Sequence, residues 1–243
     1  MHNGIYCEFL KIKRSPIFLV LIIGALAEPL LMLWGQIFRE DIVEWDTYMT
    51  NIEAMTFLVV GLLLFTLVAS YIYTREFSER VAYAAYSYPL SKTKVFICKL
   101  ITVFACIAFV YILQFIAILI TGSIIDHEPL AKDFLILNIK IYCYSMLFQF
   151  AIAPLGILIG SISRNLIMPM AYSAIGTLIT ISIAEFNEGN IYFPLYYPAM
   201  PVMSAGKNNM QIVIKNQSIV IAIVFFIVTS ALCIIYYKKS DIC

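Results

Sequence analysis

The chain has 243 residues, 62% hydrophobic and 13% charged, with a formal net charge of +1 and a mean hydropathy of +0.91. Soluble domains carry about 25% charged residues, so this composition excludes a water-facing surface over most of the protein. The near-neutral balance also excludes the basic field that a nucleic-acid partner needs.

Six apolar runs follow one another along the chain. The first, residues 16–35, is interrupted by Glu28; residues 55–74, 100–125, 141–163, 166–184 and 216–237 contain no Lys, Arg, Asp or Glu. At about 1.5 Å per residue, roughly 20 helical residues cross a hydrocarbon core of about 30 Å. The expectation is an all-α polytopic membrane protein forming one domain over 1–243, with approximate spans 16–35, 55–74, 100–122, 141–163, 166–184 and 216–237. A soluble helical core would need polar faces on most helices, and a barrel would need strict alternation; neither pattern is present. The first run is long and carries Glu28-Pro29, so an uncleaved span is expected rather than a signal peptide.

Within span one, Pro29 removes a backbone donor and frees a carbonyl, while Glu28 is too costly to ionise against lipid and should face protein, water or a cation. Span three carries Gln114 and span four Gln149, amides suited either to tying helices together or to lining a pathway. Gly156 and Gly160 form a GxxxG pair that lets another helix approach closely.

Between spans two and three lies "REFSERVAYAAYSYPLSKTKVF", residues 75–96. Glu76, Ser78, Glu79 and Arg80 place polarity at a helix start, and Phe77, Val81, Ala84, Ala85 and Tyr88 recur on one apolar face. Pro89 disfavours helix at Tyr88. The expectation is an amphipathic helix over about 76–88, lying on the membrane or packed on protein, with Lys92, Lys94 and Lys99 marking the return to the interface.

Orientation follows from the basic residues. With both termini inside, eleven are cytoplasmic: Lys11, Lys13, Arg14, Arg75, Arg80, Lys92, Lys94, Lys99, Arg164, Lys238 and Lys239. Five are outside: Arg39, Lys132, Lys140, Lys207 and Lys215. The six cysteines then lie within spans or near cytoplasmic ends, so no disulfide framework is expected. His2 and His127 lack zinc-ligand spacing, and Asp126-His127-Glu128 reads as a solvated loop edge. No nucleotide-binding or hydrolase motif occurs; catalytic and metal residues are therefore expected to be absent.

The stretches "EFLKIKRSPIFLVLI" and "YPLSKTKVFICKL", with Glu76 opening the helix between spans two and three, resemble the permease subunits of type-2 ABC exporters. The resemblance extends through all six spans; many relatives have a Gly-Thr pair where this chain has Arg80-Val81. It implies a coupling helix in which Glu76, Phe77, Glu79, Arg80, Val81, Ala84, Tyr88 and Pro89 meet an ATPase, and an amphipathic region near residues 6–16. The 161–165 turn would touch the same ATPase. The segment 185–215, with "YFPLYYPAMP" at 192–201, would sit at the outer mouth with short re-entrant helices.

The resemblance further implies two cytoplasmic ABC ATPase subunits that bind ATP and Mg, and a second identical or related permease subunit. This chain itself would bind no cofactor. Its overall style is similar to the bacitracin-resistance and lantibiotic-immunity group, which implies a bacterial plasma-membrane exporter of an antimicrobial peptide or hydrophobic antibiotic. Lipid-linked or other hydrophobic compounds are an alternative substrate class. A six-span secondary transporter and a non-transporting scaffold are alternatives of a different kind.

Overall fold

The computed structural model describes residues 2–38, 44–78, 92–125, 129–184, 192–207 and 211–239. These residues are almost entirely helical, and no strand occurs among them. α1 (His2–Lys13) precedes α2 (Ile17–Ile37). α3 (Trp45–Met55) runs through a π-helical turn (Thr56–Val60) into α4 (Gly61–Ser78). Next come α5 (Lys92–Ile124), α6 (Lys132–Ser163) and α7 (Ile167–Ala184). A 3₁₀ turn (Pro194–Ala199), α8 (Met200–Lys207) and α9 (Asn216–Lys239) complete the order.

Six of these helical stretches are long and apolar enough to cross a membrane: Ile17–Gln36, Trp45–Arg75, Thr93–Ile124, Lys132–Ser163, Ile167–Ala184 and Asn216–Lys238. Helix is the solution lipid demands, because each backbone donor must find its acceptor within the segment. Three of the stretches extend well beyond the charge-free runs. The second begins at Trp45 and includes Asp46 and Glu53; the third takes in Lys94 and Lys99; the fourth begins at Lys132. A 32-residue helix is about 48 Å long, well beyond the roughly 30 Å core. Charged residues end an apolar run, but Lys and Glu are good helix formers and do not end a helix.

α6 is the hub of the bundle. It packs against α4, α5, α7, α9 and the 3₁₀ turn, while α2 leans mainly on α5. The α4–α6 crossing is the most intimate: a Cβ on Gly156 would stand 3.3 Å from Thr66 Cα, and one on Gly160 only 2.9 Å from Ser70 Cα. Ser70 Oγ donates to the Gly156 carbonyl at 3.0 Å across that contact. α2 reaches α4 through Gly24, where an added Cβ would lie 2.6 Å from Leu64 Cδ2.

The α6–α7 connection is as short as its sequence implied. Arg164 adopts a left-handed conformation, φ 53°, and its N–H closes on the Gly160 carbonyl at 2.9 Å, the usual way a helix ends sharply. Asn165 Oδ1 then accepts the Met168 N–H at 3.3 Å and opens α7.

Residues 194–199 fold as the 3₁₀ turn and sink into the bundle, whereas Tyr192 just before them is largely exposed. Leu195, Tyr196, Tyr197 and Ala199 are buried, with the Tyr197 ring 5.6 Å from Phe148 in the middle of α6 and Leu195 against Gly176 of α7. Pro194 and Pro198 lack N–H groups, so this turn has fewer donors to satisfy when it sinks into the bundle.

Candidate functional site

Two regions concentrate polar groups inside this apolar bundle. The first is the base of α4, from which the segment leading to α5 departs. Ser15 and Tyr71 share a hydroxyl–hydroxyl bond of 2.5 Å, and Arg75 Nη1 donates to the Lys11 carbonyl at 2.9 Å; the first fastens the α1–α2 turn to α4, the second α1 itself. Tyr73 OH donates to the Phe96 carbonyl at 3.0 Å, tying α4 to α5, and the Tyr237 ring of α9 meets Tyr73 edge-on at 5.7 Å.

Lys99 belongs to this clamp and not to the exposed basic turn its sequence suggested. It has no exposed surface; its ammonium donates to the Ile72 carbonyl at 3.3 Å and lies 5.1 Å from the Tyr73 ring centroid. An apolar neighbourhood accepts the charge here because a carbonyl dipole and a π-face stand in for water.

α4 continues unbroken to Ser78. The helix expected to begin at Glu76 therefore does not begin there: Glu76 and Phe77 form the last turn of α4, since Arg, Glu and Phe at these positions supply no break. Glu79, Arg80, Val81, Ala84, Tyr88 and Pro89 lie outside the described residues, as do Asp126, His127 and Glu128.

The Arg75 clamp carries a direct prediction. Arg75→Ala removes a charge-assisted bond of about 1.5–3 kcal/mol between α1 and α4, leaving α1 held by its packing on α5 and α2. Hydrogen exchange of the α1 amides should accelerate several-fold, with the core of α6 unchanged; unaltered α1 exchange would show the contact to be idle.

The second polar region lies near the start of the π-turn. Gln114 Nε2 of α5 donates to Thr56 Oγ1, and Gln114 Oε1 has no hydrogen-bond partner among the described residues. Glu53, one turn earlier, is fully buried, and neither carboxylate oxygen has a partner among the described residues. The hydroxyls of Tyr111 and Tyr142 are buried and unpartnered in the same sense, while their rings pack with Phe57 at 5.4 and 5.3 Å and with each other at 5.9 Å. Buried polar groups without partners are rare, and a π-turn beside them is a recurrent mark of function.

Asp46, Thr50 and Glu53 occupy one stripe of α3 at i, i+4, i+7. Asp46 and Thr50 line a cavity of about 230 Å³ together with Asn138 and Ile141 of α6 and Val202 and Ala205 of α8. The charge-free-run criterion missed Glu53 by construction, because a carboxylate two residues before Met55 closes the run. The i, i+4, i+7 polar stripe opposite buried Tyr48, Met49 and Ile52 is the signal that extends the helix backwards.

The remaining residues of interest are dispersed. Glu28 is half-buried in α2 and has no hydrogen bond or ion pair among the described residues, and α2 runs straight through buried Pro29. Gln149 is buried beside Gly61 at the start of α4. Gly156 and Gly160 are helix-packing positions against α4. No group of three His, Cys, Asp or Glu side chains able to hold a metal occurs among the described residues.

Comparison with known sequences follows the same lines. No curated protein gives a significant match to the chain. The profile described as "ABC-2 family transporter protein" matches residues 4–180, from α1 into α7. That stretch holds the α4–α6 crossing, most of the spans and both polar regions apart from Tyr237 of α9 and the α8 wall of the cavity. The chain belongs to the ABC-2 family of transporter membrane proteins.

Proposed function

We propose that this chain is one of two permease subunits of an ATP-driven exporter in a bacterial plasma membrane, with both termini cytoplasmic. Its substrate in this reading is an antimicrobial peptide or hydrophobic antibiotic, which it removes from the membrane. The observation that carries the reading is the family match over residues 4–180. As an ABC-2 permease the chain is a membrane-spanning transporter component and not itself an ATPase, and such permeases partner with ATP-binding subunits. Two such subunits would supply ATP and Mg; a second identical or related permease would complete the pathway. The eleven-to-five distribution of basic residues supports the orientation, and similarity in style to bacitracin-resistance and lantibiotic-immunity permeases supports the substrate class.

The base of α4 suits the mechanism. ATP-driven closure of the partner subunits would press on the 76–88 segment, which joins α4 to α5. α4 cannot yield alone, because Arg75, Tyr71, Tyr73 and Lys99 fasten it to α1 and α5. The push would therefore travel along α4 as along a rod to Gly156, Gly160 and the π-turn, where it would change the packing that bounds the pathway.

The test is ATP turnover by the intact complex reconstituted in lipid and challenged separately with cationic peptide antibiotics, hydrophobic drugs and lipid-linked precursors. Stimulation by the peptides is expected; stimulation by lipid compounds alone would overturn the peptide reading. Phe77→Asp with Val81→Asp should release the ATP-binding subunit, since both changes put charge on the apolar face that the residue pattern gives this segment. Docking that survives both changes would refute the assignment of this segment.

A further inference from the structure

A groove of about 460 Å³ opens between α1, α2 and α5. Its walls include Tyr6, Phe9 and Leu10 of α1, Phe18 and Leu21 of α2, and Phe109 of α5. The Phe18 and Phe109 rings, 5.9 Å apart and stacked, brace one wall; Leu21 is buried beneath them, while Tyr6, Phe9, Leu10 and Phe109 keep more than a third of their surface open. Among the described residues, Lys13 at the C-terminal end of α1 is the one charged side chain on the lining. The size lies in the range of about 300–1,000 Å³ typical of ligand pockets.

The cations at this end are distributed unevenly. Lys11 is held by Glu8 at 2.6 Å, but Lys13 and its neighbour Arg14 are exposed and have no carboxylate partner among the described residues. An apolar slot beneath an amphipathic helix, with two exposed cations at one end and, among the described residues, no acid on its lining, has the polarity of a lipid: tail in the slot, anionic head outside it.

We propose that this groove is a binding site for an anionic glycerophospholipid, whose acyl chain lies between Phe9, Phe18 and Phe109 and whose head group pairs with Lys13 and Arg14. A zwitterionic lipid fits the slot equally well but presents its own ammonium to the two cations, so discrimination resides in the charge. Each cation near an anionic surface favours the bound state about fivefold at modest ionic strength, and the preference fades with salt as the exposed charges are screened. Because α1 and the turn after it are bonded to the base of α4 through Arg75–Lys11 and Ser15–Tyr71, the bound lipid stiffens the part of the chain that steadies the α4 rod.

The experiment needs only the full chain in vesicles, so it is independent of the ATPase and of the substrate. Tryptophan is placed in the groove as Phe9→Trp, with Tyr6→Trp as a second reporter should the first perturb folding, and the signal of the unaltered chain is subtracted. Phosphatidylcholine vesicles receive increasing fractions of dibrominated phosphatidylglycerol or dibrominated phosphatidylcholine. Quenching should saturate at an at least fivefold lower fraction of the brominated phosphatidylglycerol, and Lys13→Gln with Arg14→Gln should bring the two lipids to parity. Equal quenching by both lipids in the parent reporter, or a preference that survives the double substitution, would overturn the site.

Discussion

Gly160→Leu should prevent stable assembly of the bundle, while Gly35→Ala leaves it intact. At Gly160 even a methyl group would stand 2.8 Å from Ser70 Cβ and 2.9 Å from its Cα, so the obstacle is backbone that cannot swing aside. Overpacking of this kind costs about 1–3 kcal/mol for a small increment, and a leucine must force α4 and α6 apart along their whole crossing. The separation would also break the Ser70–Gly156 bond and lift α4 from the hub of the fold. Gly35 has nothing within 4 Å of its added Cβ, so alanine there gains about 0.5–1 kcal/mol of helix propensity. Thermal unfolding in lipid, followed by size-exclusion profiles, separates the two. A well-folded Gly160→Leu protein would mean that the α4–α6 contact is looser than the helices' positions require.

Glu53→Met should stabilise the protein and impair transport. The native side chain places two oxygens without partners, among the described residues, in a fully buried position. An unsatisfied buried polar group costs about 1–3 kcal/mol, and apolar replacements of similar volume at such sites are often neutral or stabilising. The unfolding midpoint should rise, whereas an ordinary structural carboxylate would make it fall. Loss of substrate-stimulated ATP turnover in the stabilised variant would identify Glu53 as a residue retained for function at a cost in stability. A destabilised Glu53→Met would instead show that the carboxylate is satisfied in the membrane.

How far the sequence alone leads can be followed residue by residue. Absence of charge located the six membrane helices, because lipid penalises charge more steeply than any local propensity acts. The same criterion misplaced the helix ends, since Lys92 to Lys99 and Lys132 to Lys140 are helical and Lys99 is buried outright. Gly156 and Gly160 announced a close helix contact, yet nothing in a GxxxG pair says that its partner is α4 at Thr66 and Ser70. Glu53 was hidden for a different reason: its burial depends on helices dozens of residues away packing around α3. Nothing in the run 192–201 says that Tyr197 packs on Phe148 of α6 or that Leu195 fits against Gly176 of α7.

These observations describe a membrane component whose polar interior is arranged around α4. At one end Arg75, Tyr71, Tyr73 and Lys99 clamp the rod to α1 and α5; further along, Gly156 and Gly160 let it lie directly on α6. The π-turn then links it to the buried carboxylate of Glu53. Force applied at 76–88 is expected to reach all three, which is how a chain belonging to a transporter family would use an external motor.

The most direct measurement is purification of the full chain in native lipid, without detergent exchange, followed by identification and quantification of everything that remains bound. An ATP-binding subunit should be present in equal amount, and the assembly should hydrolyse ATP at a rate that responds to the exported compound. A chain that purifies intact with no ATP-binding protein, and that moves its substrate in vesicles lacking ATP, would contradict the account.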